Sequence, residues 1–223
     1  KKMVKISTSI LSVEPEDATR KFYDLEVAKT DYFHIDVMDG KFVEANTEEK
    51  MYEYTNTIKQ ISNLPLDVHF MVEDVKKNID KYLSFEPDII TFHYEALKNK
   101  EEIYDVIKYL KANNVKVGIS IKPATPVEEI LEFMKHIYLC LIMTVEPGKG
   151  GQKLIPETIE KVKKLKEYLD REALETFIEV DGGIKVDNAG ILKNAGADII
   201  VSGSAIISAG DMQDVIEKMK KGV

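Results

Sequence analysis

Short apolar runs rich in β-branched residues alternate with amphipathic segments along the whole chain. Segments between the runs show helical periodicity, as in 101–114 and 156–172, where apolar residues recur every three or four positions against a Lys/Glu face. Pro156 suits the first turn of the second segment. Eight runs have the length and composition of strands, namely VKISTSIL (4–11), YFHIDVM (32–38), LDVHFMV (66–72), DIITFHY (88–94), KVGISI (116–121), LCLIMTV (139–145), TFIEVD (176–181) and DIIVSG (198–203).

Strand–helix alternation of this kind predicts an α/β fold with a parallel sheet and helices packed outside it. Eight units in 223 residues suit a closed (β/α)8 TIM barrel. No Pro/Gly/Ser-rich linker divides the chain, so we expect residues 1–223 to form a single domain. An open doubly wound sheet is the structural alternative, but no GxGxxG motif follows the first strand.

The composition excludes several classes of function. Hydrophobic residues make up 44% and charged residues 31%, an ordinary balance for a globular protein. The formal charge of -8, from 31 basic and 39 acidic residues, argues against nucleic-acid binding. No apolar run is long enough to span a membrane, and the N-terminal segment lacks the apolar core of a signal peptide. With Cys140 as the single cysteine, we expect a reduced, cytoplasmic protein.

Polar side chains with metal-binding chemistry occupy the ends of three predicted strands. His34 and Asp36 take alternate positions in DYFHIDVMDG, and Asp67 and His69 do so in PLDVHFMV. Alternate residues of a strand share a face, so each pair points in one direction. Asp181 ends the apolar run of IEVDGGI, just before two glycines. A buried face takes charged groups only if they are paired or bound to a metal, which favours a functional site.

A barrel would bring these strand ends together at its C-terminal mouth. Two imidazoles and two carboxylates suit a borderline divalent ion, Zn²⁺ first, with Fe²⁺, Mn²⁺ or Co²⁺ as rivals. Asp67 lies one step nearer the strand start, and we interpret it as a carboxylate that supports the ligands. His93 and His136 are interpreted as ordinary hydrogen-bonded core residues. The candidate ligands are His34, Asp36, His69 and Asp181.

Glycine-rich turns follow the last three strands. They are GKGGQ (148–152), DGGI and GSA. TIM barrels commonly bind phosphate with the loops after strands seven and eight, and glycine lets backbone amides approach an anion closely. The sequence therefore predicts a phosphorylated small molecule as the partner. The candidate phosphate residues are Gly183, Gly203 and Ser204, with Gly150 and Gly151 in a loop expected to fold over the substrate.

Four motifs in register resemble the ribulose-phosphate 3-epimerase family. They are HIDVMDG, LPLDVHFM, MTVEPGKGGQKLIPETIEKV and IEVDGGI, and the likeness runs from TSILS to GSAII. The resemblance implies the ribulose-phosphate-binding type of TIM barrel. It also implies a metal-dependent isomerase of the pentose phosphate pathway, interconverting D-ribulose 5-phosphate and D-xylulose 5-phosphate, and a homo-oligomer. The same four metal ligands are implied.

Epimerisation beside a ketone explains why two carboxylates are needed. A proton leaves one face of a carbon, and another returns to the opposite face through an enediolate. Asp36 and Asp181 are the candidate proton carriers, and the resemblance implies that each is also a metal ligand. The substrate contacts that the motifs and the resemblance imply are Ser9, Met38, His69, Met71, Met143, Gly148, Gly150, Gly151, Gly182, Gly183, Gly203 and Ser204.

The chain departs from the family pattern in loops that would border the sugar. Thr8 stands in TSILS where Pro is common, and FVEANTEEK replaces a segment that usually carries Val-Pro-Asn. Lys122 stands where Asn is usual, and Lys149 replaces an aromatic residue. These changes leave the ligands and proton carriers intact. They keep open a 3-epimerase of another ketose phosphate, such as D-allulose 6-phosphate.

Two further functions remain as alternatives. Lyases of the same barrel group, the sugar-phosphate decarboxylases and hexulose-phosphate synthases, typically carry an Asp-x-Lys-x-x-Asp signature on a strand. The matching strand here reads His-Ile-Asp-Val-Met-Asp and has no Lys, which argues against them. The other alternative is a catalytically inactive barrel that serves as a sugar-phosphate sensor or scaffold. The complete ligand set and both carboxylates argue against that reading.

Overall fold

The computed structural model describes residues 3–223, and its eight parallel strands close into a barrel in chain order. Each strand pairs with its neighbours in sequence, and β1 pairs with β8 to close the ring, Ser7 lying opposite Val201. All eight predicted strands are present, and the predicted (β/α)8 fold is confirmed. The strands are β1 Lys5–Ser9, β2 Tyr32–Met38, β3 Leu66–Met71, β4 Ile89–His93, β5 Lys116–Ile121, β6 Leu139–Met143, β7 Phe177–Asp181 and β8 Ile199–Ser202.

Helices surround the barrel in the connections between strands. The predicted segments at 101–114 and 156–172 are helices α4 and α5, and Pro156 stands directly before the first residue of α5. In the described part of the chain no helix combines the length and the apolarity needed to cross a bilayer. The α-helices are α1 Ala18–Val27, α2 Glu48–Ile61, α3 Val75–Tyr82, α4 Lys100–Ala112, α5 Glu157–Arg171, α6 Val186–Ala195, α7 Ser204–Ile207 and α8 Met212–Lys221.

The connection between β5 and β6 contains short 3-10 turns, at Val127–Glu129 and Leu131–His136, where regular alternation predicts an α-helix. Pro126 has no backbone N–H and restricts the residue before it, so a helix cannot run through KPATP and the covering segment begins only after it. Phe133 and Met134 nevertheless lie fully buried against the barrel. The segment therefore covers its strands without forming a regular helix.

Side chains alternate between the two faces of the barrel wall. Outward residues such as Ile35 and Val68 are buried beneath the helices. The base of the interior is apolar, with Tyr32, Ile89 and Leu139 in a cluster separate from the outer core. Above this base the interior turns polar, although such barrels usually fill it with bulky aliphatic residues. The fully buried polar residues inside are Ser7, His34, Asp67, His69, Thr91, His93, Ser120 and Glu179.

Candidate active site

Four side chains converge where β2, β3 and β7 end. His34 Nε2 lies 3.1 Å from Asp36 Oδ1 and 3.5 Å from Asp181 Oδ2. His69 Nδ1 lies 3.3 Å from Asp36 Oδ1 and 3.5 Å from Asp181 Oδ2. One ligand atom from each residue lies within 4.8 Å of the other three. The structure thus brings together all four residues that the sequence predicts as ligands.

The spacing of these atoms fits a divalent metal ion. Zinc bonds of about 2.1 Å in a tetrahedron separate neighbouring ligand atoms by about 3.4 Å. The four distances between imidazole nitrogens and carboxylate oxygens run from 3.1 to 3.5 Å. In addition, His69 Nδ1 is buried and makes no hydrogen bond. A cation would give this orphaned nitrogen a partner, and the donor set suits one.

The cluster is strongly coupled in charge. Burial disfavours the imidazolium form of His34, but the carboxylates of Asp36 and Asp67 outweigh burial and raise its pKa well above the usual value. Burial likewise opposes the charged form of His69, whose pKa the nearby carboxylates of Asp181 and Asp36 nonetheless raise. Burial alone would raise the pKa of Asp36, and the two histidines instead hold it far below its usual range. Protons and a metal ion therefore compete for the same atoms.

Asp67 contacts the ring nitrogen of His34 that faces away from the cluster. Its Oδ2 lies 2.9 Å from His34 Nδ1 and accepts a hydrogen bond of 2.8 Å from Ser7 Oγ. An ionised carboxylate only accepts, so Nδ1 carries the proton in this contact. Nε2 is the nitrogen that faces the cluster. Asp67 therefore lies where a carboxylate that supports a metal ligand belongs.

Glu179 is a buried residue that the sequence analysis missed. It lies two positions before Asp181 on β7, and burial together with the charge of Asp67 raises its pKa well above the usual value. Its oxygens and Oδ1 of Asp67 have no donor among the neighbouring heavy atoms. A proton retained on Glu179 supplies that donor. The alternation rule that placed His34 and Asp36 on one face would also have placed Glu179 inside the barrel.

His93 is fully buried and hydrogen-bonded, as its interpretation as a core residue requires. It also contacts the cluster, because its Nε2 lies 3.0 Å from Nε2 of His69. Burial lowers the pKa of His93 to about 4, although Glu95, 2.9 Å from Nδ1, opposes that shift. The contact between His93 and Glu95 depends on the turn after β4, which no local pattern reveals. His136, by contrast, lies half-buried in the 3-10 segment before β6, against the ring of Tyr104.

A cavity of about 410 Å³ opens above the cluster, in the size range of small-molecule sites. Asp36 and Asp181 reach it, while His34 and His69 lie fully buried below. Every predicted substrate-contact residue other than His69 lines this cavity. These residues are Ser9, Met38, Met71, Met143, Gly148, Gly150, Gly151, Gly182, Gly183, Gly203 and Ser204.

Two glycines at the rim, Gly183 and Gly203, leave little or no room for a side chain. Gly183 has φ +68, and a Cβ there would lie 2.4 Å from the backbone nitrogen of Leu154. A Cβ on Gly203 would lie 3.3 Å from Cβ of Ser9. The hydroxyl of Ser9 donates a 2.7 Å hydrogen bond to Oδ2 of Asp36. The backbone at Gly183 and Gly203 and the carboxylate of Asp36 therefore form part of the cavity wall.

Two lysines lie at the mouth of the cavity. Lys149, noted above as a departure, and Lys185, which the sequence analysis missed, both line it. Their charges favour an anionic ligand. Lys122 does not line this cavity, and its Nζ lies 4.4 Å from the centroid of the Phe42 ring. The departure at Lys122 therefore lies outside the cavity lining.

Several known sequences that resemble this chain belong to one family of enzymes. A sequence model described as the ribulose-phosphate 3 epimerase family matches residues 5–207. A protein from Methanocaldococcus jannaschii is 37% identical over 219 residues, covering 98% of this chain and 91% of that protein. One from Bacillus subtilis is 34% identical, covering 98% and 99%. Both relatives carry the name ribulose-phosphate 3-epimerase.

Solved structures with low sequence identity share the barrel. A 3-hexulose-6-phosphate synthase superposes with a TM-score of 0.72 at 16% identity, covering 98% of this chain and 99% of that one. The Salmonella typhimurium enzyme of the same name gives a TM-score of 0.70 at 16% identity, covering 98% and 97%. At such identity the likeness shows the fold alone.

Proposed function

The chain belongs to the ribulose-phosphate 3-epimerase family, and we propose that it interconverts D-ribulose 5-phosphate and D-xylulose 5-phosphate by two-carboxylate proton transfer. One observation carries the mechanism. Asp36 and Asp181 converge with two buried imidazoles at the floor of a cavity that glycine-rich turns surround. Two carboxylates at one cavity suit proton transfer beside a carbonyl, in which one group removes a proton and the other returns one.

The two carboxylates reach the cavity from different directions. Asp36 lies two residues before the end of β2 and Asp181 ends β7, with β1 and β8 between them around the barrel wall. A substrate held across the mouth would present one face of C3 to each. One carboxylate then removes the proton, and the other acid returns a proton to the opposite face. Ser9, through its hydrogen bond to Oδ2, holds the carboxylate of Asp36 in place.

The residues that would hold the metal are His34, Asp36, His69 and Asp181, and Zn²⁺ suits this mixed nitrogen and oxygen set best, ahead of Fe²⁺, Mn²⁺ and Co²⁺. When bound, a divalent cation polarises a carbonyl and stabilises negative charge on the substrate oxygens. Met38, Met71 and Met143, all nearly fully buried, line the floor beside the carboxylates. Their thioethers exclude water and offer no donor that competes for the enediolate.

The phosphate is proposed to lie at the end of the cavity that the turns after β7 and β8 line. Gly183, Gly203 and Ser204 belong to these turns, and the glycines allow backbone amides to approach an anion closely. Lys149 and Lys185 add positive charge at the mouth. The loop that contains Gly148, Gly150 and Gly151 lines the same end, and with Gly182 it completes the proposed substrate contacts.

A direct assay tests the proposal. Metal-loaded protein is incubated with D-ribulose 5-phosphate and, in parallel, with D-allulose 6-phosphate, and the C3 epimers are quantified by NMR. We expect the higher kcat/KM with the pentose. A preference for the hexose would favour the alternative that Lys149 raises, since it lines the cavity in place of the usual aromatic residue. No turnover of either sugar would support the inactive-barrel alternative and overturn the proposal.

A further inference from the structure

The two histidines of the cluster face it through different ring nitrogens. His34 presents Nε2, and its Nδ1 contacts Asp67. His69 presents Nδ1, and its Nε2 lies 3.0 Å from Nε2 of His93. A neutral imidazole has one N–H and one lone pair, so a metal ligand must carry its proton on the nitrogen that faces away. His69 therefore needs an acceptor for Nε2–H.

His93 can be that acceptor only if its own proton lies on Nδ1. Glu95 Oε1 lies 2.9 Å from Nδ1 of His93. Oε2 of Glu95 accepts hydrogen bonds from the backbone N–H of Lys122, at 2.8 Å, and from the hydroxyl of Thr125, at 2.6 Å. These two donors stabilise the ionised carboxylate, which only accepts. The proton between Glu95 and His93 is therefore on the histidine.

The direction of the whole chain of hydrogen bonds follows from that assignment. Glu95 accepts from Nδ1–H of His93, so Nε2 of His93 has a free lone pair. That lone pair accepts from Nε2–H of His69, and Nδ1 of His69 is left with its lone pair toward Asp36 and Asp181. The orphaned state of this nitrogen fits the same account.

The side chains around His93 hold this series of hydrogen bonds in place. The rings of His69 and His93 are inclined by 28°, with their centroids 5.0 Å apart. The centroid of the Phe42 ring lies 5.0 Å from that of His93, and the ammonium of Lys122 lies over Phe42. His93 is fully buried as a result. A buried acceptor of fixed orientation is what a metal-binding imidazole usually requires behind it.

We propose that His93 and Glu95 are positioning residues, which hold His69 in the tautomer protonated at Nε2 and direct Nδ1 toward the metal. This inference rests on the metal site of the proposed function. It assigns no contact with substrate to either residue. Its consequence is that loss of the acceptor at position 93 weakens metal binding even though no ligand has been removed.

Two matched variants test the inference, His93→Phe and His93→Gln. Phenylalanine fills the space without an acceptor, whereas the glutamine carbonyl can still accept from Nε2–H of His69. We expect His93→Phe to weaken Zn²⁺ affinity, measured by chelator competition, on the order of 10- to 100-fold. The visible spectrum of the Co²⁺-loaded protein should change as well. His93→Gln should recover most of the affinity, and His136→Phe, a change outside the site, should match wild type.

Equal Zn²⁺ affinity in wild type and His93→Phe would overturn the proposal, as would equal losses in the Phe and Gln variants. Should His93→Phe fail to fold, nitrogen-15 NMR of Zn²⁺-loaded wild type gives the same answer. A His69 proton on Nε2 supports the proposal, and a proton on Nδ1 overturns it. Because no substrate is present, protein that binds zinc with this tautomer but lacks epimerase activity would refute the proposed function alone.

Discussion

Glu179 and Asp67 face each other inside the barrel as two fully buried carboxyl groups, with one oxygen of each within 4.8 Å. Two charges of the same sign at that distance in a dry interior are strongly unfavourable. Asp67 keeps its charge because His34 and Ser7 hydrogen-bond to it, and its pKa is lowered although burial opposes this. Glu179 keeps its proton. The pair thus carries one negative charge behind the metal ligands.

This protonated Glu179 makes stability depend on pH in a predictable direction. Its pKa is higher in the folded state than the usual 4.5, so the folded protein binds the proton more tightly. The free energy of unfolding therefore falls as the pH rises above the unfolded value. Glu179→Gln, which is neutral and can still donate to Asp67, should lack this fall. The effect is limited to about 1.4 kcal/mol per pH unit for one proton.

Urea unfolding of both proteins at pH 5.5 and pH 8 measures the difference. The contributions of His34 and His69 are common to both proteins and cancel in the comparison. We expect the free energy of unfolding of Glu179→Gln, relative to that of wild type, to be higher at pH 8 than at pH 5.5. If the difference in unfolding free energy between Glu179→Gln and wild type is the same at both pH values, Glu179 is ionised in the folded protein.

His69→Ala should lose the metal. His69 supplies one of four ligand atoms, and its removal leaves a buried gap between Asp36 and Asp181. Elemental analysis should find one divalent ion per wild-type chain and far less in His69→Ala. His136→Ala is the matched control, because that histidine lies outside the cluster, against Tyr104. Equal metal content in all three proteins would refute the assignment of His69.

Much of this site is encoded locally and so could be predicted from the sequence. His34 and Asp36 follow from the period of two along a single strand, and the order of strands in a barrel brings Asp181 to the same mouth. Glu179 obeys the same alternation and was overlooked.

The hydrogen bonds behind His69 could not be predicted in the same way. Glu95 lies in the turn after β4, and its carboxylate meets the backbone of Lys122 after β5. That contact depends on the register between two strands and on the path of both loops. Neither feature leaves a periodic pattern in the sequence. The position of Lys122 over Phe42 is of the same kind, because it joins loops 80 residues apart.

Ser9→Ala should lower kcat more than it changes KM. Its hydroxyl donates to Oδ2 of Asp36, a hydrogen bond to a charged group, whose loss costs about 1.5–3 kcal/mol. A fall in kcat of about 10-fold or more is therefore expected from misplacement of the carboxylate. Steady-state kinetics on ribulose 5-phosphate provides the measurement. A rise in KM with unchanged kcat would instead make Ser9 a substrate contact only.

Gly203→Val should raise KM steeply in a protein that stays folded. A Cβ at this position would lie 3.3 Å from Cβ of Ser9, so a side chain there would point at Ser9, across the proposed phosphate site. Loss of hydrogen bonds to a charged phosphate predicts a rise in KM of about 10-fold or more. Gly210→Val is the control, since nothing lies within 4 Å of a Cβ at that position. An unchanged KM in Gly203→Val would refute this placement of the phosphate.

Isotope exchange separates the roles of Asp36 and Asp181. If the two carboxylates work on opposite faces of C3, each removes the proton of only one epimer. Replacement of either by Asn should slow epimerisation on the order of 100-fold or more. In D₂O, a variant that retains its metal should still exchange the C3 hydrogen of one epimer without inversion, because the remaining carboxylate removes and returns the proton on its own face.

The two variants should therefore prefer opposite epimers. Proton NMR of ribulose 5-phosphate and xylulose 5-phosphate, each incubated separately with Asp36→Asn and Asp181→Asn, follows the loss of the C3 signal. Metal analysis of the same samples excludes loss of a ligand as the cause, since both aspartates belong to the cluster. Exchange of the same epimer by both variants would contradict the two-base arrangement. One of the carboxylates would then serve only as a metal ligand, and the return of the proton would need another donor in the cavity.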